Sequence, residues 1–201
     1  MKNFNKVDEL ILAVEKTINN PVKVNRNSDL FVGVDLGTAY IVVVVLDKDK
    51  KPIACEMEFA QVVRDGLVVD YIGATNIVRK LKANIERKLG VELTKAAIAI
   101  PPGTDERDVK THNYVVEGAG MEVVAVLDEP TAANAVLGIE NGVVVDVGGG
   151  TTGLSIIKDG EVVYTADEAT GGTQLSLVVA GAYGIPFEEG EKPKKDTTYY
   201  N

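Results

Sequence analysis

One sequence pattern occurs twice in this chain, and it limits the possible folds more than any other feature. The segments FVGVDLGTAYIVVVVLDKDKKPIA (31–54) and VVVDVGGGTTGLSIIKDGEVVYT (143–165) share one order of features. Each contains a valine-rich strand, an aspartate, a glycine two residues later, small polar residues, a second strand, a charged turn and a third strand. The matched positions are Asp35 with Asp146 and Gly37 with Gly148.

Both copies set a carboxylate beside a glycine-rich turn, which suits a metal-bound polyphosphate. Glycine lets backbone N–H groups approach phosphate oxygens because no Cβ intervenes, and threonine hydroxyls add donors. The aspartates can hold Mg²⁺, chiefly through water, since Mg²⁺ keeps much of its hydration shell. We therefore expect two hairpins that enclose a polyphosphate from opposite sides. The alternative for either turn is an ordinary glycine-rich hairpin.

The second copy also contains G-x-G-x-x-G, formed by Gly148, Gly150 and Gly153, which is the pattern of a dinucleotide-binding turn. That turn requires a helix directly after the glycines, because the helix's N-terminal amides bind the pyrophosphate. Here Gly153 is followed by LSIIKDGEVVYTA, whose Asp-Gly turn predicts a β-hairpin. Asp146 would also repel a pyrophosphate unless a cation lay between them. The sequence therefore favours Mg²⁺ and polyphosphate over a dinucleotide.

The composition argues against several classes of partner. With a formal net charge of −9, the chain lacks the excess of lysine and arginine expected of a nucleic-acid or anionic-membrane surface. No apolar run is long enough to span a bilayer, so no membrane insertion is expected. The single cysteine, Cys55, suits a reducing cytosol and is expected to be half-buried, and the single histidine, His112, to be structural or at the surface.

The rest of the chain alternates strands and helices, which predicts an α/β fold with a largely parallel or mixed sheet. Apolar residues at helical spacing over 6–18 predict an amphipathic helix, either packed on the domain or free to bind a partner helix. The polar tail 188–201 is expected to be unstructured. Further predictions are helices over 74–89, 104–118 with Thr104 as N-cap, and 129–138, and a short strand within 65–71.

Three motifs, in this order, carry a resemblance to a known superfamily: DLGTAY (35–40), LDEPTAANAVLG (127–138) and DVGGGTTGLSII (146–157). They resemble the first phosphate loop, the linking helix and the second phosphate loop of the actin/Hsp70/sugar-kinase superfamily. Across 30–187 the chain is similar to the ethanolamine utilization protein EutJ family, an Hsp70-like group associated with bacterial microcompartments. The resemblance implies an actin-like ATPase (ribonuclease H-like) fold with two related lobes, the second truncated. The implied division is 1–27, helix and linker; 28–140, first lobe; 141–201, start of the second lobe.

The resemblance also implies a cleft for ATP and Mg²⁺ between the lobes. Asp35 and Asp146 would organise the metal and its waters, and Glu129 would help to place the metal and the attacking water. Two sets of residues would hold the phosphates or reach the nucleotide. They are Gly37, Thr38 and Ala39 on one side, and Gly148, Gly149, Gly150, Thr151, Thr152, Gly171, Gly172 and Thr173 on the other.

Two departures from the superfamily leave the activity open. Residues 65–74 contain no counterpart of the lysine that assists hydrolysis in Hsp70, so hydrolysis is expected to be slow or absent. The adenosine-binding Gly-Gly segment should follow well after Thr173, in a lobe that this sequence barely begins. We expect a cytoplasmic, microcompartment-associated, ATP-binding accessory or chaperone-type protein with a client in ethanolamine metabolism. The alternatives are an acetate- or sugar-type kinase, an actin-like filament protein that oligomerises, and a non-catalytic partner-binding module.

Overall fold

The computed structural model of the protein describes residues 4–25 and 28–195, which form ten strands and six helices. The strands are β1 (Leu30–Leu36), β2 (Tyr40–Asp47), β3 (Pro52–Phe59), β4 (Val63–Arg64), β5 (Leu67–Val68), β6 (Lys95–Ile100), β7 (Glu122–Asp128), β8 (Gly142–Val147), β9 (Thr152–Lys158) and β10 (Glu161–Glu168). The helices are α1 (Asn5–Asn19), α2 (Tyr71–Leu89), α3 (Glu106–Gly118), α4 (Glu129–Leu137), α5 (Gly172–Tyr183) and α6 (Phe187–Lys195).

A five-stranded mixed sheet, in the order β3-β2-β1-β6-β7, contains most of the core. β1, β2 and β3 pair in antiparallel fashion, whereas β6 and β7 continue the sheet in parallel from β1. Alternate residues of β1 and β2 are buried, as expected for strands with one face against a core. Helix α2 packs on β2 and β3, and its Val78, Leu81 and Ile85 are all at most 1% exposed. The predicted mixed sheet is therefore confirmed.

A second, three-stranded antiparallel sheet has the order β10-β9-β8. Its β9–β10 turn is made by Asp159 and Gly160, with φ angles of 54° and 81°, and positive φ at both central residues is typical of a tight hairpin turn. A strand and not a helix thus follows Gly150, which contradicts a dinucleotide-binding turn. The outward side chains of β8 are more than half exposed. These side chains are Val143, Val145 and Val147.

Helix α1 packs against β3, which decides between the two expectations for the N-terminal helix. The segment that follows it is fixed to the same strand, because the Val22 amide donates to the Ile53 carbonyl at 2.8 Å. Ile11 and Leu12 remain more than half exposed on the opposite side. None of the described helices has the length and apolar character needed to cross a membrane.

Several local predictions were wrong in detail. The N-cap of α3 is Asp105, whose carboxylate accepts from the amides of Arg107 and Asp108, while Thr104 donates instead to the Pro101 carbonyl. The segment 187–195 is helical, although its charge suggested an unstructured tail; the remaining residues of that prediction, 196–201, lie outside the described residues. By contrast, the short strand expected within 65–71 is present as β5, which pairs with β4 in a hairpin of two-residue strands.

The two single-copy residues are both part of the core. His112 is 1% exposed, and its Nδ1 lies 2.8 Å from the Asp108 carbonyl, one turn earlier in α3. Its role is therefore structural, as one of the two expectations had it. Cys55 is buried rather than half-buried, because it lies on the inner part of β3.

Helix α4 connects the two sheets and is anchored at its first turn. Asp128 Oδ1 accepts from the Thr131 amide at 2.9 Å and from the Ser155 hydroxyl of β9 at 3.2 Å. Gly138 ends the helix in the left-handed conformation, with φ 61°. One carboxylate thus caps the connecting helix and fixes it to the second sheet.

We predict that Asp128→Ala destabilises the protein more than Asp105→Ala. Both changes remove an N-cap, which costs about 1 kcal/mol. Asp128→Ala also removes an acceptor from the fully buried Ser155 hydroxyl, which adds about 0.5–1.5 kcal/mol because Thr131 Oγ1, 3.3 Å away, remains as a partner. Urea unfolding of both variants measures the difference; equal losses would show that the bond to Ser155 contributes nothing.

Candidate functional site

The two glycine-rich turns meet face to face between the sheets. A Cβ built on Gly149 would lie 3.2 Å from the Ala39 Cβ, and one on Gly150 would lie 2.5 Å from the Thr38 hydroxyl. The same Gly150 position is 3.0 Å from the backbone of Asp65, in the turn between β4 and β5. Glycine is therefore required here by close approach of the backbone and not by a positive φ.

The start of α5 supports the second turn from behind. The amides of Gly172 and Thr173 donate to the carbonyls of Gly148 and Gly149, both at 2.8 Å. A Cβ on Gly171 would lie 2.7 Å from the same two carbonyl oxygens. The Gly171-Gly172-Thr173 segment thus binds the loop itself, and these two amides are occupied.

A cavity of about 200 Å³ lies between the two turns and contains most of the predicted site. Thr152 is outside it, since its hydroxyl donates to the Thr170 carbonyl at 2.7 Å. No lysine or arginine of the described residues lines this cavity. Predicted residues in the lining are Asp35, Gly37, Thr38, Ala39, Glu129, Asp146, Gly148, Gly149, Gly150 and Thr151, and those not foreseen are Leu36, Tyr40, Gly66 and Pro101.

Three carboxyl groups of this cavity lie close enough to affect one another's ionisation. Burial, and then the negative charge of Asp146, raise the pKa of Asp35 to about 6. Burial, followed by the charges of Asp35, Asp146, Asp167 and Asp128, raises the pKa of Glu129 to about 8. Burial also raises the pKa of Asp146. A cation in the cavity would reverse these shifts by favouring the charged forms.

Asp167, at the end of β10, is a further acidic group that the sequence did not single out. Burial raises its pKa, the Thr151 hydroxyl that bonds to it acts in the opposite direction, and the charges of Glu168 and Asp146 raise it further. It faces Gly153 across the β9–β10 pair, so the strand register brings it to the site. No motif marks Asp167 in the sequence. It could have been found by pairing the two strands of the second repeat's hairpin, which sets Asp167 opposite Gly153.

The residues present suit a hydrated divalent cation. Asp35 Oδ1 is buried and has no hydrogen-bond partner among residues 4–25 and 28–195, which is costly for a carboxylate unless a cation or water binds it. Among the described residues, no three His, Cys, Asp or Glu side chains are close enough to ligate one ion directly. Mg²⁺ fits both observations, because it binds through one or two carboxylates and retains several waters.

A larger cavity of about 1090 Å³ adjoins the first one. The two share Thr38, Ala39, Tyr40 and Gly149. Tyr40 contacts Phe59 edge to face, with ring centroids 5.6 Å apart. The rest of the wall comes from the β4 region, from the first turn of α5 and from α6, a segment whose composition predicts an unstructured tail. Its remaining lining residues are Gln61, Val63, Arg64, Thr173, Phe187, Glu188, Glu191 and Lys192.

Comparison with known proteins identifies the family. The MreB/Mbl protein family matches residues 53–180. The crystal structure of ethanolamine utilization protein EutJ from Carboxydothermus hydrogenoformans is 51% identical, with a TM-score of 0.87 over 98% of this chain and 72% of that one. The chain belongs to the EutJ family. This family lies within the actin/Hsp70 superfamily, which confirms the resemblance and the fold class.

Two further comparisons show how much of the chain is similar to known proteins. Ethanolamine utilization protein EutJ of Salmonella typhimurium is 47% identical over 88% of this chain, and the chain spans 62% of the length of that relative. MreB5 of Spiroplasma citri bound to ADP has a TM-score of 0.65 at 21% identity, over 83% of this chain and 61% of that one. The second comparison shows the actin-like fold alone.

We predict that Gly150→Ala separates the two turns and lowers the unfolding free energy by about 1–3 kcal/mol, as overpacking does. The added methyl group would contact the Asp65 backbone at 3.0 Å. Gly33→Ala in β1 is the matched control, since a Cβ there meets nothing within 4 Å and should change stability by less than about 0.5 kcal/mol. Similar denaturation midpoints for both variants would contradict the close approach of the turns.

We also predict that Glu129→Gln stabilises the ligand-free EutJ-family chain at high pH. A raised pKa means that the fold favours the protonated carboxyl, so this stabilisation is complete below the ordinary value of 4.5 and is lost as the pH rises through about 8. Glutamine mimics the protonated form and avoids that loss. Urea unfolding between about pH 5 and pH 8 should show a difference that vanishes at the acid end.

The exposed Glu140 provides the control for this pH dependence. Glu140→Gln should follow the wild-type curve at every pH. A Glu129→Gln variant that is as pH-sensitive as wild type would show that Glu129 ionises normally.

Proposed function

We propose that this chain binds a Mg²⁺–nucleoside triphosphate, with ATP as the expected ligand, as an accessory protein of ethanolamine utilization. One observation carries the proposal: the unpartnered Asp35 Oδ1 is buried beside Glu129 and Asp146, between two glycine turns. A bare carboxylate cluster is unfavourable in such a place, whereas a divalent cation with a polyphosphate would balance its charge.

Each part of the cavity has a role in this proposal. Asp35 and Asp146 would hold the waters of Mg²⁺, which would neutralise phosphate charge when bound. Backbone amides and hydroxyls of residues 37–39 and 148–151 would donate to phosphate oxygens. Glu129, with a pKa of about 8, is mostly protonated in the free protein at neutral pH and becomes an acceptor for a water proton only when a nearby cation lowers that pKa.

The larger cavity is the proposed nucleoside site. It continues from the phosphate turns through Thr38, Ala39, Tyr40 and Gly149, so a triphosphate in the smaller cavity would direct its nucleoside there. The Tyr40–Phe59 pair and Phe187 supply apolar surface, and the Arg64 and Thr173 side chains supply polar contacts. The MreB5 relative bound to ADP supports nucleotide binding by this fold.

Within the part of the chain that the structure describes, the smaller cavity has no cationic side chain in its lining, which favours binding over fast hydrolysis because phosphoryl transfer depends on charge neutralisation. A nucleotide-dependent accessory or chaperone-type role toward a client of ethanolamine metabolism, in the cytoplasm and at a microcompartment, is consistent with the EutJ relatives. Kinase and filament activities remain the alternatives that the following experiment separates.

Calorimetric titration with Mg·ATP, Mg·ADP and Mg·tripolyphosphate tests the proposal. Wild type should bind ATP more tightly than tripolyphosphate, because only ATP fills the larger cavity. Asp35→Asn and Asp146→Asn should weaken Mg·ATP binding about 10- to 100-fold, as loss of a group that supports a metal site does. Asp49→Asn, at an exposed turn, should bind as wild type does.

Other outcomes would change the assignment. No detectable heat with any nucleotide contradicts the proposal for this chain, and equal affinities for ATP and tripolyphosphate contradict the nucleoside site. Phosphotransfer to acetate or a sugar would favour a kinase, and ATP-dependent light scattering would favour a filament.

A further inference from the structure

Gln174, in the first turn of α5, forms hydrogen bonds to both the Asp65–Gly66 turn and the start of α5. Its Oε1 accepts from the Gly171 amide at 2.9 Å, and its Nε2 donates to Asp65 Oδ1 at 3.1 Å. Asp65 belongs to the β4–β5 hairpin, which precedes α2, whereas Gly171 follows β10 of the second sheet. This is a contact between parts of the chain that are 109 positions apart.

The Gly171 end of this contact leads directly to the second phosphate turn. Gly171 lies against the carbonyl oxygens of Gly148 and Gly149, and the next two amides donate to those same oxygens. When a carbonyl points toward α5, the peptide that it belongs to directs its N–H the opposite way, toward the cavity. The position of Gly171 therefore controls the orientation of the donors in this turn.

The Asp65 end has a fixed geometry as well. Asp65 has a left-handed φ of 49° and is followed by Gly66, whose φ is 76°. The backbone of this turn lies so close to Gly150 that a methyl group on Gly150 would be 3.0 Å from the Asp65 backbone. The Asp65–Gly66 turn thus contacts the phosphate loop directly at Gly150. It is also linked to that loop indirectly, through Gln174 and Gly171.

We propose that Gln174 is a positioning residue that couples the Asp65–Gly66 turn to the shape of the Gly148–Thr151 phosphate loop. Approach of the two sheets completes the Gln174–Asp65 bond and holds Gly171 against the loop carbonyls. Separation of the sheets breaks the bond and leaves the loop amides free to reorient. The consequence for ligand affinity rests on the proposed nucleotide site, but the coupling itself is a property of the free protein.

Exchanging the two ends of the bond tests the coupling. Gln174→Glu keeps the oxygen that accepts from Gly171 but sets a carboxylate against Asp65. Asp65→Asn keeps an oxygen there and adds an amide donor, so the Asp65→Asn/Gln174→Glu double variant restores a hydrogen bond in the opposite direction. Asp65→Gly removes the acceptor without strain, because glycine tolerates the positive φ. Asn76→Asp, on the exposed face of α2, adds the same single charge elsewhere.

The readout is amide hydrogen exchange of Gly172 and Thr173, measured by NMR without nucleotide. Gln174→Glu and Asp65→Gly should accelerate it at least about tenfold, and the double variant should return it close to wild type. Three results would overturn the coupling. They are wild-type exchange rates in both single variants, an equal acceleration in Asn76→Asp, and a double variant whose amides exchange as fast as those of Gln174→Glu. If Gln174→Glu fails to fold, Asp65→Gly and the double variant decide the question.

Titration of the same variants with Mg·ATP separates this inference from the proposed function. Weaker binding by roughly tenfold in both single variants and recovery in the double variant support the effect on the ligand. Accelerated exchange in a protein that binds no nucleotide in any form would leave the coupling in place and contradict the proposed function. If the wild type binds Mg·ATP but the amides of the variants exchange at the wild-type rate, the proposed function stands and the coupling is contradicted.

Discussion

Contact between two glycine turns is the constraint on which the rest of this structure depends. Gly149 and Gly150 approach Thr38, Ala39 and Asp65 so closely that a Cβ on either glycine would meet its neighbours. That approach fixes the distance between the two sheets, and it places Asp35 and Asp146 on opposite walls of one small cavity. Helix α4 also links the two sheets, because its N-cap Asp128, at the end of β7, accepts a hydrogen bond from Ser155 of β9.

The contact between the turns brings the acidic residues of the cavity together, and the repulsion between their charges opposes that contact. Burial and mutual repulsion raise the pKa values of Asp35 and Glu129, so each ionised carboxyl in the free protein costs energy that the turns must offset. At neutral pH a proton on Glu129, whose pKa is about 8, neutralises part of the cluster in the free protein. Such a site is suited to exchange protons for a divalent cation, and the chemistry of Mg²⁺ matches its few direct ligands.

Much of this arrangement could be predicted from the sequence, because its repeat encodes local geometry. The valine-rich strands and the Asp-Gly hairpin turn depend on residues close together in the chain, and Asp35 and Asp146 could be matched because each has the same place in its copy of the repeat. The contributions of Gln174 and α6 depend instead on contacts between distant segments, which helix packing decides, and that of Asp167 depends on the exact register of the β9–β10 hairpin. The role of Gly171 and Gly172 is of the same kind, since a glycine pair does not reveal whether its amides contact a ligand or a neighbouring loop.

Charge, loop contact and the Gln174–Asp65 bond all act on one coordinate, the separation of the two sheets. Ionisation of Asp35 and Asp146 favours a wider cavity, because the two charges belong to opposite walls. The glycine contacts and the bond from Gln174 favour a narrow one. A cation bound in the cavity would remove the repulsion and leave the contacts, and so would shift the balance toward closure in proportion to the charge that it neutralises. A ligand would then change the sheet separation through its differential affinity for the closed state, and no separate moving element is required.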